Sequence, residues 1–416
     1  MEEQNMKKTI NFKGLVAMVT AVLTVFFAVV GCDNDDDEKS VVSDNYKAFQ
    51  VIHKKFYEDY LWTKQSKIPD PETSTEEYYS KFSSPIDMVE SFTVSKDKSS
   101  WIMTKEEYAE EHPDNGSDGL LWRVHNTNKG LYLIVTLVAE DSPAIASGLH
   151  RGCAITKING TRLTSNNYEK LINKETKTVT FVETSLDESG NIQFSDTETT
   201  TPSFSKRDFS WKPIILKKEI TTQKGNIGYL LLSLLPSDKE LSTAFQDMKI
   251  WNIQDLVLDM RFVQKSYTID LLKTLASYIV SSKAIGKSFL TYKWNENLTA
   301  KNASQTVFDK KDDNLSLKRI FILTSEYGSN LLIAGIRPYI DVTIIGENIH
   351  DSDNYGTVKY TCSEWIFEMV KCELLDPDGN TIVAPAADYN VEDNGCIALG
   401  DPSEPLLAKA LELINK

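Results

Sequence analysis

The sequence predicts a multidomain α/β protein: a helical N-terminal domain, a small β domain, and an α/β core around a largely parallel sheet. Three observations carry this. At 416 residues the chain has room for two or three domains. Between residues 45 and 115, apolar residues recur at helical spacing. Between 207 and 416, short apolar runs alternate with amphipathic helical stretches, the pattern of a βαβ series.

Composition narrows the function classes. A hydrophobic fraction of 41% and a charged fraction of 25% are ordinary for a globular chain. The formal net charge of −15 argues against nucleic acid as a partner, because phosphate binding needs a basic face. The five cysteines, Cys32, Cys153, Cys362, Cys372 and Cys396, contain no C-x-x-C pair. His53, His112, His125, His150 and His350 show no ligand spacing among themselves, so they read as structural or solvated and no metal or cofactor is expected. Cys362 and Cys372 are either bridged across neighbouring strands or free and buried.

Residues 1–31 read as an address. Lysines precede an apolar run from Leu15 to Val30 that ends in Val-Val-Gly-Cys, and Met6 opens an "MKKT" start. The run is short for a membrane span of ~20 residues, although a transmembrane anchor is the alternative. Gly31-Cys32 resembles the lipobox of bacterial lipoproteins, with Val where Leu and Ala or Ser are commoner. That resemblance implies lipidation of Cys32 as the mature N-terminus. It also implies a chain anchored by lipid to the outer membrane of a bacterial cell envelope, on its periplasmic face or at the cell surface. Residues 32–44, with "DNDDDEKS", form an acidic tether.

In the helical domain, residues 45–115, "NYKAFQVIHKKFYEDYLW" places Tyr46, Phe49, Ile52, Phe56 and Tyr60 on one face. A proline-rich loop follows, then a second amphipathic piece, "EEYYSKFSSPIDMVESF". Residues 116–206 read as short strands with one helix. Within them Ser142-Pro143-Ala144, Ser147-Gly148-Leu149, Gly152 and Ile158-Asn159-Gly160 resemble a PDZ domain of the bacterial type, with Cys153 where Asp is usual. PDZ domains add an extended peptide as a strand and cradle its terminal carboxylate on loop N–H groups. The matching loop is Gly119, Leu120, Leu121 and Trp122. The alternative is a PDZ fold used only as a spacer.

In the core, residues 207–416, strands are expected at 227–235, 255–260, 319–325 and 341–347, with helices at 238–252, 266–282 and after 330. Ligand loops of such sheets lie beyond the carboxyl ends of the strands. Here those are "RFVQKSY" (261–267), "TSEYGSN" (324–330) and "NIHDSDNYG" (348–356).

The order helical domain, PDZ, α/β core resembles the tail-specific (C-terminal processing) serine peptidase family. "YEDYLW", "DKSSWI", "LVLDMR", "IRPYIDVTIIGE" and "LGDPSEPLLAKALELI" carry the resemblance over most of the mature chain. It implies peptide or protein C-terminal tails as partners and a serine–lysine dyad with a glycine-lined oxyanion site. The serine needs a base, a desolvated lysine serves as one, and only glycine lets the backbone approach the oxyanion.

This chain departs at all three places. Tyr327 or Asn330 falls at the nucleophile position, Ser352 at the lysine position, and no glycine follows Asp259-Met260-Arg261. Rescue candidates are Ser325 or Ser329 as nucleophile and Lys265 or Lys359 as base. The expectation is a non-catalytic, peptide-binding envelope lipoprotein. The alternatives are an active serine endopeptidase with a rearranged nucleophile, or a purely structural envelope protein.

Overall fold

The computed structural model describes residues 44–112, 116–263, 268–300, 302–325, 330–349 and 354–416. The chain folds as two compact units. One holds the N-terminal helices together with Asn295–Leu298 and Tyr355–Cys372; the other holds the remainder from residue 114 onward.

The first unit is built on the helix Asp44–Asp59. Its apolar face falls as its spacing predicts: Phe49, Ile52, Phe56 and the following Tyr60 are buried, and Tyr46 packs against them partly buried. The face closes on Met88, Val89 and Phe92 and on Phe367, whose ring stacks on Phe56 at 6.1 Å. The second amphipathic piece is two helices, Glu76–Tyr79 and Pro85–Phe92. Pro85 cannot continue a helix from upstream and suits a first helical position, and the Ser84 hydroxyl accepts the Asp87 N–H at 3.3 Å. The strands Tyr355–Cys362 and Trp365–Leu375 pair with each other, and Trp101–Thr104 adds antiparallel to the second. Cys362 and Cys372 sit on these strands, both buried and not joined by a disulfide. His53 is a satisfied core residue, bonded to the Tyr79 hydroxyl at 3.1 Å and the Pro69 carbonyl at 3.0 Å.

The second unit carries two large sheets. One runs through Leu120–Thr127, Gly130–Val138, Cys153–Ile158 and Val179–Leu186, with Leu120–Thr127 at its edge. The other is six-stranded: Ile214–Thr222, Gly225–Leu232, Ile253–Asp259, Arg319–Thr324, Asp341–Gly346 and Tyr389–Asn390, in that order. Its first pair is antiparallel and every later pair parallel. This is the expected largely parallel sheet. Alternation along Ile227, Tyr229 and Leu231 gives one face to the C-terminal helix Pro405–Asn415, through Leu406, Leu407, Ala410 and Ile414. The other face takes the helix Asp238–Ile250, whose Met248 lies over Gly228. That helix starts at a capping box, Ser237 and Glu240 each bonding the other's backbone N–H.

Candidate functional site

The carboxyl ends of the three central parallel strands are laced together by the backbone. The Met260 N–H donates to the Leu323 carbonyl at 3.0 Å, and the Thr324 hydroxyl donates to the Glu347 carbonyl at 3.2 Å. Gly346 permits this approach. Its φ is +132°, and a Cβ there would meet the Thr324 carbonyl oxygen at 2.1 Å. Ser325 follows directly, and its hydroxyl donates to the Arg261 carbonyl at 3.1 Å. A nucleophilic serine hands its proton to a base; among the described residues the contact given to this hydroxyl is a peptide carbonyl, which is no base.

Asn330 opens the helix Asn330–Ile336 and is buried. Its side-chain oxygen accepts the Leu331 N–H at 3.0 Å, and among the described residues its Nδ2 has no hydrogen-bond partner. An amide is no nucleophile, but a buried unpaired N–H₂ is a donor that a carbonyl oxygen of a bound chain would satisfy. Tyr327, Ser329, Ser352 and Lys265 lie outside the described residues, as does Cys32. Lys359, in the first unit, has its ammonium bonded to the Tyr108 hydroxyl at 3.0 Å and set over the rings of Trp101 and Tyr108 at 5.4 and 4.9 Å. The ammonium is thus committed to these aromatic groups of the first unit.

Behind the strand ends lies a buried ion cluster that sequence reasoning missed. Arg261, only 3% exposed in its side chain, forks onto Asp259 at 3.0 and 2.6 Å. It also reaches Glu404 at 2.7 Å and Asp393 at 3.1 Å. Arg151 comes in from the turn before the strand Cys153–Ile158 and binds Asp393 at 2.5 Å. The Tyr229 hydroxyl donates to Asp259 at 2.7 Å. Burial alone would lower the Arg261 pKa, but Asp259, Glu404 and Asp393 hold it well above its usual value. Burial pushes the Glu404 carboxyl up, against the pull of Arg261. Burial also acts to raise the Asp393 carboxyl, yet Arg261 and Arg151 outweigh it and keep that group below the usual range. Arg261, the last residue of the "LVLDMR" signature, thus anchors the core and is not directed at a substrate.

Of the predicted loop Gly119–Trp122, only Gly119 precedes the sheet-edge strand Leu120–Thr127; Leu120, Leu121 and Trp122 are its first residues. Its first N–H groups already have acceptors: Gly119 donates to the Ser117 hydroxyl at 3.0 Å and Leu120 to the Asp118 carboxylate at 3.2 Å. Asp118 is fixed by the buried Lys177 ammonium at 2.6 Å, and burial is the main reason that the Lys177 pKa lies below normal. An incoming terminal carboxylate would meet an acid here instead of bare N–H donors. Trp122 stands edge-on to Tyr168 of the helix Tyr168–Ile172, ring centroids 5.8 Å apart, so the wall above the edge strand is aromatic. Arg123 on this strand binds Glu392 and the Asp393 carbonyl and lies 3.9 Å from Glu347 at the core strand end.

No family model matches the chain, and no curated protein sequence matches it. Solved structures do. One described as an S41 protease from Bacteroides fragilis aligns with a TM-score of 0.70 at 18% identity, covering 92% of this chain and 99% of that one. The photosystem II D1 C-terminal processing protease aligns with a TM-score of 0.52 at 14% identity, covering 88% and 100%. These likenesses show the fold: a mixed α/β chain with the architecture of S41 C-terminal processing proteases.

Proposed function

We propose that this protein is a non-catalytic, lipid-anchored envelope protein that binds extended peptide segments or protein tails. It does so by strand addition at Leu120–Thr127, within a PDZ-like domain spanning residues 116–206 and beside a protease-like core that does not turn over. The observation that carries the reading is the edge strand itself. Among the described residues no strand pairs with its outer side, and Arg123 ties it to Glu347 at the carboxyl end of a core strand. An edge strand offers main-chain donors and acceptors that an extended peptide satisfies, while Trp122 and Tyr168 supply apolar contact. The Ser325 hydroxyl aimed at a carbonyl and the caged Lys359 support the absence of turnover. Cys32 carries the anchor, with two acyl chains giving stable membrane attachment.

Titrating the full chain in detergent with a fluorescent apolar peptide tests the reading. Affinity of ~10 μM or weaker is expected, because a short flexible peptide loses ordering entropy on binding. With Gly119 and Leu120 already bonded to side chains, acid and amide forms of the peptide should bind within about threefold of each other. Val124→Pro, on the exposed position of the edge strand, should abolish binding by removing a main-chain donor. Full affinity in that variant would end the strand-addition reading.

A further inference from the structure

The turn His150-Arg151-Gly152-Cys153 enters the strand Cys153–Ile158. The Cys153 N–H donates to the His150 carbonyl at 3.2 Å, closing a four-residue turn, and Gly152 supplies the positive φ of +96° that its third position needs. A turn of this kind brings the side chains at its two ends together, which is why two-residue spacers recur between metal ligands. Glu183, on the strand Val179–Leu186, is paired directly opposite Cys153. Donor atoms of all three side chains lie within 4.8 Å of one another, and His150 Nε2 is 3.3 Å from the Glu183 carboxylate.

The imidazole is oriented for a cation. His150 Nδ1 lies 2.9 Å from the Arg151 carbonyl oxygen, an acceptor, so Nδ1 carries a hydrogen. The other ring nitrogen, Nε2, faces the Glu183 carboxylate at 3.3 Å. The carbonyl on the far nitrogen is the partner that metal-ligating histidines characteristically hold.

We propose that His150, Cys153 and Glu183 bind a zinc ion, with water in the fourth position. One imidazole, one thiolate and one carboxylate match the ligand preferences of Zn²⁺, whose bonds of ~2.0–2.3 Å place tetrahedral donors roughly 3.3–3.8 Å apart. The His150–Glu183 separation already has that value. On binding, the Cys153 S–H bond is lost to a Zn–S bond and its proton passes to solvent. The ion staples the turn to the neighbouring strand and is independent of the peptide groove and of any proteolysis.

The test uses the metal alone. Full-length protein in detergent, stripped with chelator, is titrated with Zn²⁺ against a chromophoric chelator, then with Co²⁺ to read thiolate-to-metal charge transfer. One equivalent should bind, with the charge-transfer band lost in Cys153→Ala and kept in Cys396→Ala. His150→Gln and Glu183→Gln, both at exposed positions, should each weaken Zn²⁺ by at least ~10–100-fold, the cost of losing even an outer-shell partner. Unchanged affinity in His150→Gln, a band that survives Cys153→Ala, or failure of the parent to compete with the chelator would each overturn the site. The last result would leave His150 and Glu183 as a simple ion pair.

Discussion

Replacing Arg261 by alanine should unfold the second unit far more readily than any surface substitution of equal size. Arg261 neutralises three buried carboxylates, Asp259, Glu404 and Asp393, and its loss leaves them with Arg151 alone. Removing one partner of a buried ion pair costs about 3–5 kcal/mol, because the charges left behind have been taken out of water and lack compensation. Arg319 is the internal control. It forks onto Asp255 at 2.6 and 2.8 Å, a geometry as good as that at Arg261, but its side chain is 41% exposed. Arg319→Ala strands one carboxylate, Asp255, whose side chain is 7% exposed, and water can enter where the part-exposed cation stood, so the cost should be ~1–3 kcal/mol, below that of Arg261→Ala. Urea unfolding at pH 7, followed by circular dichroism on both variants and the parent, reads the difference. Acidification to pH 5 should narrow it, since the carboxylates stranded by Arg261→Ala then take up protons more easily than in the unfolded chain. A loss no larger than that of Arg319→Ala, or a deficit that does not shrink in acid, would refute the cluster's role.

Other predictions follow from single contacts. Burial holds the His53 pKa below normal, so the unfolded chain binds the proton more readily; stability of the first unit should fall as pH drops below about 6.5, and His53→Phe should flatten that slope in pH-dependent thermal melts. Gly346→Ala should destabilise by at least ~1 kcal/mol in denaturant titrations, because its φ and the Thr324 carbonyl both exclude a Cβ. Lys177→Met, which strands Asp118 beneath the Gly119–Trp122 loop, should cost ~3 kcal/mol and weaken peptide binding together, read by melting and by fluorescence anisotropy.

Elements held by local pattern were legible in the sequence. The spacing of Phe49, Ile52, Phe56 and Tyr60 gave a helix face that is buried, and the apolar runs of the core became strands of a largely parallel sheet. Pro85 divided a helix that amphipathicity alone had joined. What escaped notice was long-range. Arg261 and Glu404 are 143 positions apart, and no periodicity links them. Strands Tyr355–Cys362 and Trp365–Leu375 read like their neighbours in the core, but their apolar faces at Val358, Phe367 and Met369 pack under the N-terminal helices. The His150–Cys153 spacing was visible, but it joins two residue types that were weighed separately. Of the candidate site, the strand ends were legible from the "LVLDMR" and "IIGE" signatures; the partners of Ser325 and Lys359, a distant carbonyl and an aromatic pair, were not.

The most direct measurement is proteolysis itself. The full chain in detergent is incubated with casein and with peptides bearing apolar C-terminal tails, beside its Ser325→Ala and Ser329→Ala variants. With the Ser325 hydroxyl directed at the Arg261 carbonyl and Lys359 held by Tyr108 and Trp101, no product should form above the buffer control, and the three proteins should be indistinguishable. Cleavage by the parent that disappears in one serine variant and persists in the other would contradict the account and identify the nucleophile.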